Sequence, residues 1–466
     1  MAEITRRRRV PPIGRAASGG TRTRVNWRGR VGLSLVPALL FGGCLLFGAN
    51  QALAAQGFTA VLALALCVAL ALPSMRIGLF DLEPTWPLAV LFLLVLGLAA
   101  WSLTPFMPGG PHPVWTGSGL PGAATVNRSA TLLEMIKLTG LACAFVLGCL
   151  QGARSDRARA TVEVLLALGA AYAVLSLITF ASGTQVMAGP RLSGGLLSPN
   201  SAASVFGMLT VIATAELLRR WRWAAGVNVM TALGQTAVPL AHVLLFFACL
   251  VLTASRMGLA ATVAALAVLL LWDTIKSRGR RLPGLVCGGL LLPGLMVIGG
   301  GDRLWARLGA LDRDSELRGI ILSAHWRAFQ DSPLFGHGLG AFDNVNSQIM
   351  TAENYGALWP VRAAHNVCIQ WLEEAGLVGA TPMFLLIAII IALAVRRAGK
   401  LTAGATKARG LVAASLVVLI HGGTDYALQV PSIAALWAFL LGLQFAFGQS
   451  RSRASGQAAP TSPYGP

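Results

Sequence analysis

A helix advances about 1.5 Å per residue and the hydrocarbon core of a bilayer is about 30 Å thick, so about 20 consecutive apolar residues can span it. This sequence contains twelve such runs, at about 31–50, 53–73, 86–104, 130–151, 160–181, 200–218, 234–254, 257–275, 283–300, 376–395, 408–423 and 431–448. In lipid every backbone N–H and C=O must be satisfied within the segment, so the runs are read as helices even where Gly and Pro interrupt them. Composition agrees: 55% of the chain is hydrophobic and 12% charged, against about 25% charged in soluble domains. The expected fold class is an all-α integral membrane protein of about 12 transmembrane helices. The first run follows an Arg-rich stretch and precedes "ALA" at 52–54, which would suit a signal peptide. It is longer than a usual signal core and is read as the first membrane helix.

The basic residues orient the bundle. With the N-terminus in the cytoplasm, 27 of the 37 Lys and Arg fall in cytoplasmic segments and nine on the other side. Six of those nine lie in one long loop, 301–375, where the positive-inside rule has little force. Both termini are therefore expected inside. The expected organisation is a basic, disordered cytoplasmic tail (1–30), helices 1–9 (31–300), a long extracytoplasmic loop (301–375), helices 10–12 (376–448) and a short tail (449–466). Within the loop, "LRGIILSAHWRAFQDSP" (317–333) has helical apolar spacing and stops at a proline. It is expected to form an amphipathic helix along the outer membrane surface, between helices 9 and 10. A second excursion, 105–129, is rich in Pro and Gly.

The net charge of +19 does not point to nucleic acid, because the charges sit in short clusters between apolar runs rather than on a folded basic face. Six of the seven cysteines lie inside apolar runs, and no disulfide framework or Cys/His metal spacing is present. No phosphate-binding loop, dinucleotide fingerprint or nucleophile elbow occurs. An extracytoplasmic transferase would therefore need a membrane-borne activated donor, with no soluble cofactor and no metal expected.

A few polar residues stand where the topology disfavours them. Arg191, in "GPRLSGGLLSPNSAAS", and Arg256, in "TASRMGLAA", both fall on the extracytoplasmic side. Each alone could snorkel to lipid headgroups. Two on one face read as a shared anion site, since a guanidinium stays charged and presents a planar fork to phosphate oxygens. "SGGLLSPN" would make a tight turn before a helix N-terminus, with Asn200 or Ser201 as its cap. His365, in "AAHN", stands where the long loop re-enters the membrane. It reads as an uncharged base at neutral pH or as an interfacial anchor, with Asn366 capping the next helix. His421 and Asp425, in "HGGTDYALQVP", are placed at the outer end of a helix as a possible second pair. His325 and His337 are read as structural or surface residues, and Glu134 and Lys137 as an ion pair within one helix.

The segments "RLSGGLLSPNSAAS" (191–204), "SRMGLAA" (255–261), "HWRAFQDSPLFGHGLGAF" (325–342) and "HNVCIQWLEEAGLVG" (365–379) together resemble the O-antigen ligase and polymerase superfamily over roughly residues 160–445. The resemblance implies transfer of a glycan from an undecaprenyl-diphosphate carrier to an acceptor hydroxyl at the periplasmic face of the bacterial inner membrane, without a divalent metal. It implies that Arg191 and Arg256 hold the donor diphosphate and that His365 is the base on the acceptor. Asp425, Asn366 and His421 are secondary candidates. A ligase would use lipid A-core as acceptor, whereas a polymerase would extend O-antigen or exopolysaccharide from the same site. The competing class is a small-solute transporter, which predicts polar residues at mid-membrane in several helices. Here they gather at one face.

Overall fold

In a computed structural model of the chain, the described residues are 27–73, 75–76, 82, 86–117, 119–224, 228–276 and 311–449. The expected helix at 283–300 lies outside them. The described residues form fourteen α-helices and no strand: α1 (Trp27–Leu45), α2 (Ala52–Ala71), α3 (Trp86–Ser102), α4 (Arg128–Gly152), α5 (Ser155–Ala181), α6 (Pro199–Ala224), α7 (Val229–Leu252), α8 (Arg256–Lys276), α9 (Leu311–Asp331), α10 (Phe342–Gln348), α11 (Tyr355–Leu358), α12 (Val367–Lys400), α13 (Ala405–Gly422) and α14 (Pro431–Ala446). Eight of them (α2, α4 to α8, α12 and α13) are long and apolar enough to cross a membrane, and three more (α1, α3 and α14) carry shorter apolar stretches.

Burial sorts these helices into a centre and a rim. Every residue of α14 is buried, and α6 and α13 are mostly so. α2, α4, α5, α7 and α12 bury only about a third of their apolar windows. Side chains such as Leu53, Leu93 and Met230 face outward, as they would toward lipid acyl chains. Small residues let the centre close up. On α4, Gly148 and Gly152 are spaced four apart, and Gly442 faces them from α14. A Cβ on Gly148 would lie 2.1 Å from the Phe439 carbonyl oxygen, and one on Gly442 would lie 1.9 Å from that of Phe145. Helices approach this closely in membranes where neither carries a side chain at the crossing.

α12 is broken. Gly376 takes φ +62° and ψ −177° in mid-helix, and the turn after α9 is bonded into the break. His337 and Gly338 donate their N–H groups to the Glu373 and Glu374 carbonyls (2.9 and 2.8 Å), while Leu377 and Val378 donate to Pro333 and Leu334 (2.9 Å each). A Cβ on Gly376 would fall 2.3 Å from the Leu334 carbonyl carbon, so only glycine fits. "SPLFGHG" and "EEAGLVG" are thus two halves of one joint. The expected loop helix is present as α9 and ends before Pro333. Its apolar face (Ile321, Ala328, Phe329) is buried, with Ile321 against Leu358 and Val361 and Ala328 against Val126 and Val345. That face is therefore turned to protein rather than to the membrane surface. His325, read as structural or surface, is fully buried on it. The 105–129 excursion folds against the long loop: Val126 N–H donates to the His337 carbonyl (2.8 Å) and Asn127 Nδ2 to Asn344 Oδ1 (2.9 Å).

Candidate functional site

The turn carrying Arg191 is shaped by Gly194 and Gly195, both at positive φ. Gly195 lies against the backbone of Leu45, and Gly194 lies under the Tyr172 hydroxyl, which donates to the Gly194 carbonyl (2.7 Å). α6 then starts at Pro199, a residue pre-set for the first helical position. Ser198 Oγ accepts from Asn200 N–H (3.2 Å). The cap is therefore Ser198, not Asn200 or Ser201 as the sequence suggested. The Asn200 side chain is engaged elsewhere. Its Oδ1 accepts from Arg191 Nη2 (2.6 Å) and its Nδ2 donates to Asp425 Oδ2 (2.8 Å).

Arg191 Nε donates to the Thr253 carbonyl (2.8 Å), and Leu192 N–H donates to the Leu252 carbonyl (2.9 Å). The 190s turn is thereby fixed to the α7–α8 corner, where Ala254 sits at φ +48°. Ser255 Oγ accepts from Gly258 N–H (3.3 Å) and caps α8, whose first residue is Arg256. Three residues on, a Cβ at Gly258 would touch the His421 ring at 3.4 Å. Arg191 and Arg256 thus flank one corner.

His365 arrives from the other side of this site. It occupies the left-handed region at φ +53°, and its ring meets Tyr426 edge-on at 5.1 Å between centroids. Asn366 caps α12, accepting from Ile369 N–H (3.0 Å), as expected. Its Nδ2 also donates to the Gly423 carbonyl (3.0 Å), which ties the His365 loop to the α13–α14 connection. Burial lowers the His365 pKa below its ordinary 6.5; the Asp425 carboxylate acts to raise it and Arg318 to lower it.

Asp425 is fully buried and is the hub of the cluster. Besides Asn200, it accepts from Tyr426 N–H (2.8 Å). His421 Nδ1 is bonded to Ser204 Oγ (2.8 Å), so His421 and Asp425 share a neighbourhood rather than forming the hydrogen-bonded pair suggested by their spacing. Two residues were missed in the sequence. Arg318, on α9, reaches the Thr424 carbonyl with Nη1 (3.1 Å) and bears electrostatically on both His365 and His421. Asn200 is the bridge. The signal for Arg318 was an arginine on the polar side of an amphipathic helix, outweighed by the long loop's other basic residues. Among the described residues, no three His, Cys, Asp or Glu side chains gather as a metal site.

Beside the cluster, a partly open cavity of about 310 Å³ lies between α3, α4, α12 and α14. Its wall is mostly apolar and aromatic, including Phe92, Phe145, Trp371 and Trp437. It extends along α4 from Glu134 to Val146, about 18 Å at the helical rise. Val367 and Leu428, close in sequence to His365 and Asp425, line it as well. The expected Glu134–Lys137 ion pair (2.7 Å) is part of this wall.

A family model described as O-antigen ligase matches residues 241–384. The matched span holds Arg256, Arg318 and His365, while Arg191 and Asp425 lie outside it. No curated protein matches the chain. The match, in a chain with eight helices long and apolar enough to cross a membrane, supports the superfamily indicated by the sequence motifs and, in general terms, glycosyl transfer of the ligase or polymerase type.

Proposed function

We propose that the protein transfers a glycan from an undecaprenyl-diphosphate carrier to an acceptor hydroxyl at the periplasmic face of the inner membrane, as an O-antigen ligase. One observation carries this reading: Arg191, through Asn200, and Arg318, at the Thr424 carbonyl, reach the corner that holds Asp425, with the His365 ring against Tyr426 and an apolar cavity about as long as half a bilayer alongside.

In this reading the carrier's isoprenoid chain lies in the cavity and its diphosphate reaches the guanidinium groups of Arg191, Arg256 and Arg318. Planar forks take phosphate oxygens in pairs and stabilise the leaving group without a divalent metal. The acceptor hydroxyl oxygen attacks the anomeric carbon. The bond from that carbon to the diphosphate oxygen breaks, and its electron pair leaves with the carrier diphosphate. His365, kept neutral by burial, takes the hydroxyl proton. Asp425 steadies the imidazolium that results, and Asn366 and His421 support the surrounding loops. Lipid A-core would be the acceptor of a ligase. A polymerase would use a second lipid-linked glycan at the same residues.

The test is transfer by the purified full-length chain from undecaprenyl-diphosphate glycan, with EDTA present and either lipid A-core or a second donor molecule as acceptor. Modified lipid A-core, lost in Arg191→Ala, Arg256→Ala and His365→Ala variants that still fold, supports the ligase. A lengthened donor glycan supports the polymerase. Absence of transfer to both acceptors, or full activity without His365, sinks the proposal.

A further inference from the structure

Resting on that reading, we infer that Gln370 and Glu374 are positioning residues that hold the His365 loop in its left-handed turn. The observation is a buried hydrogen-bond chain ending one residue before His365. Gln370 Oε1 accepts from the Ala364 N–H (3.3 Å). Gln370 Nε2 donates to Glu374 Oε1 (2.9 Å). Glu374 Oε2 accepts from the Gly340 N–H (2.7 Å). Gln370, Glu374 and Ala364 are 5%, 6% and 0% exposed.

The chain has a fixed anchor and a strained load. Its anchor is the joint at the break in α12, where the Glu374 carbonyl also accepts from Gly338. The neighbouring Glu373 holds His325 at 2.6 Å, with both side chains fully buried. Its load is His365 at φ +53°. A β-carbon makes that conformation unfavourable, and it persists only where its surroundings over-determine it. Asn366 fixes the loop on the far side through Ile369 and Gly423. On the near side, Gln370 is the side chain bonded to the Ala364 N–H. Without it, that buried N–H loses its partner and His365 can relax to an extended conformation, swinging the imidazole away from Tyr426 and Asp425. A general base displaced by about 1 Å can cost about 100-fold in rate.

The pair also has a specific rescue. Gln370→Glu keeps the chain only if the two buried acids share a proton, whereas Glu374→Gln turns an amide N–H toward the Gly340 N–H and leaves one of its two bonds with an unsuitable partner. The combined exchange, Gln370→Glu with Glu374→Gln, restores all three bonds: the new carboxylate accepts from Ala364 and from the new amide, whose oxygen accepts from Gly340.

The experiment uses the full-length chain in detergent, with two readouts. The first is kcat and donor KM in the transfer assay for Gln370→Met, both single exchanges and the combined exchange. The second is amide hydrogen exchange over residues 361–366 with no substrate present. The expected result is a fall in kcat of about ten-fold or more in Gln370→Met and in Glu374→Gln, with donor KM changing less than about three-fold. Exchange over 361–366 should rise in the same variants. The combined exchange should recover most of both. Wild-type kcat in Gln370→Met, unchanged exchange over 361–366, or a combined variant no better than the worse single one would overturn the inference. Absence of transfer in the wild type would instead remove the proposed function, and the exchange readout would still decide whether Gln370 holds the loop.

Discussion

The bundle carries a polar cluster at each end, and the two are built differently. At one end, acids are enclosed by cations. Glu216 is held by Arg219, Arg220 and Lys407 (2.5, 2.7 and 3.2 Å), and Asp273 is held by Arg222, by Arg409 (2.7 Å) and by the Thr406 hydroxyl (3.2 Å). These pairs join α6, α8 and α13, so here charge closes the bundle. At the other end, Arg191 and Arg318 donate to carbonyl and amide oxygens, and Asp425 accepts from an amide and a backbone N–H. Arg318, aimed by the neutral Thr424 carbonyl, leaves more of its field for an incoming anion than a guanidinium locked against a carboxylate does. Under the proposed function the contrast separates a structural cluster from a working one, and it can be broken by substitution.

The largest expected effect is on turnover. His365→Ala should lower transfer by about 10²- to 10⁴-fold, the usual range for loss of a general base, while the thermal unfolding midpoint stays close to that of the wild type. Asp273→Ala should fail the opposite way. It strands Arg409, whose side chain is only 6% exposed, and removing one partner of a buried pair costs about 3–5 kcal/mol. Denaturation of the purified chain would read this loss, and activity per folded molecule should be nearly intact. If Asp273→Ala instead left stability alone and abolished transfer, the two ends would not divide as argued.

Gly376→Ala comes next. It combines a positive φ with a β-carbon aimed at the Leu334 carbonyl, and strained backbone of this kind costs about 1–3 kcal/mol. Because the break joins the long loop to α12, the damage should appear first as protease sensitivity in the 333–341 turn, ahead of any change in the membrane core.

How much of this was legible in sequence follows from the range of each interaction. Eleven of the twelve apolar runs coincide with described helices, because membrane length and hydrophobicity are local properties that need no partner. Arg191, Arg256 and His365 could be placed at one end by counting crossings and noting charges on the disfavoured side. What joins them could not be read. Asn200 meets Asp425 across 225 residues of sequence, and Arg318 meets Thr424 across 106. A hydrogen bond between distant segments leaves no periodic mark in either. The cap before α6 was misassigned for the same reason: Asn200 is a good capping residue by type, but here its amide is claimed by Arg191 and Asp425. The joint at Gly376 left half a trace, since glycines stand on both sides of it without saying which fits which.

The smallest expected effect sharpens the contrast most, because it reads the field at the Asp425 end directly. His365 acts as a base only when neutral, so kcat/KM should fall with pH on an acid limb set by its pKa. Burial places that limb below the ordinary value of 6.5, with Asp425 and Arg318 pulling in opposite directions and Tyr426 packed against the ring. Asp425→Asn removes the charge that favours the imidazolium, so the limb should move to lower pH. Arg318→Gln removes a charge that disfavours it, so the limb should move to higher pH. Under the proposed function Arg318→Gln also loses a contact to the donor diphosphate, which should lower the height of the profile. The position of the limb is independent of that height, so a single titration separates the two effects. Opposite displacements in the two variants are what a base held between Asp425 and Arg318 requires; a limb that stays put in both would mean that the titrating group is not His365.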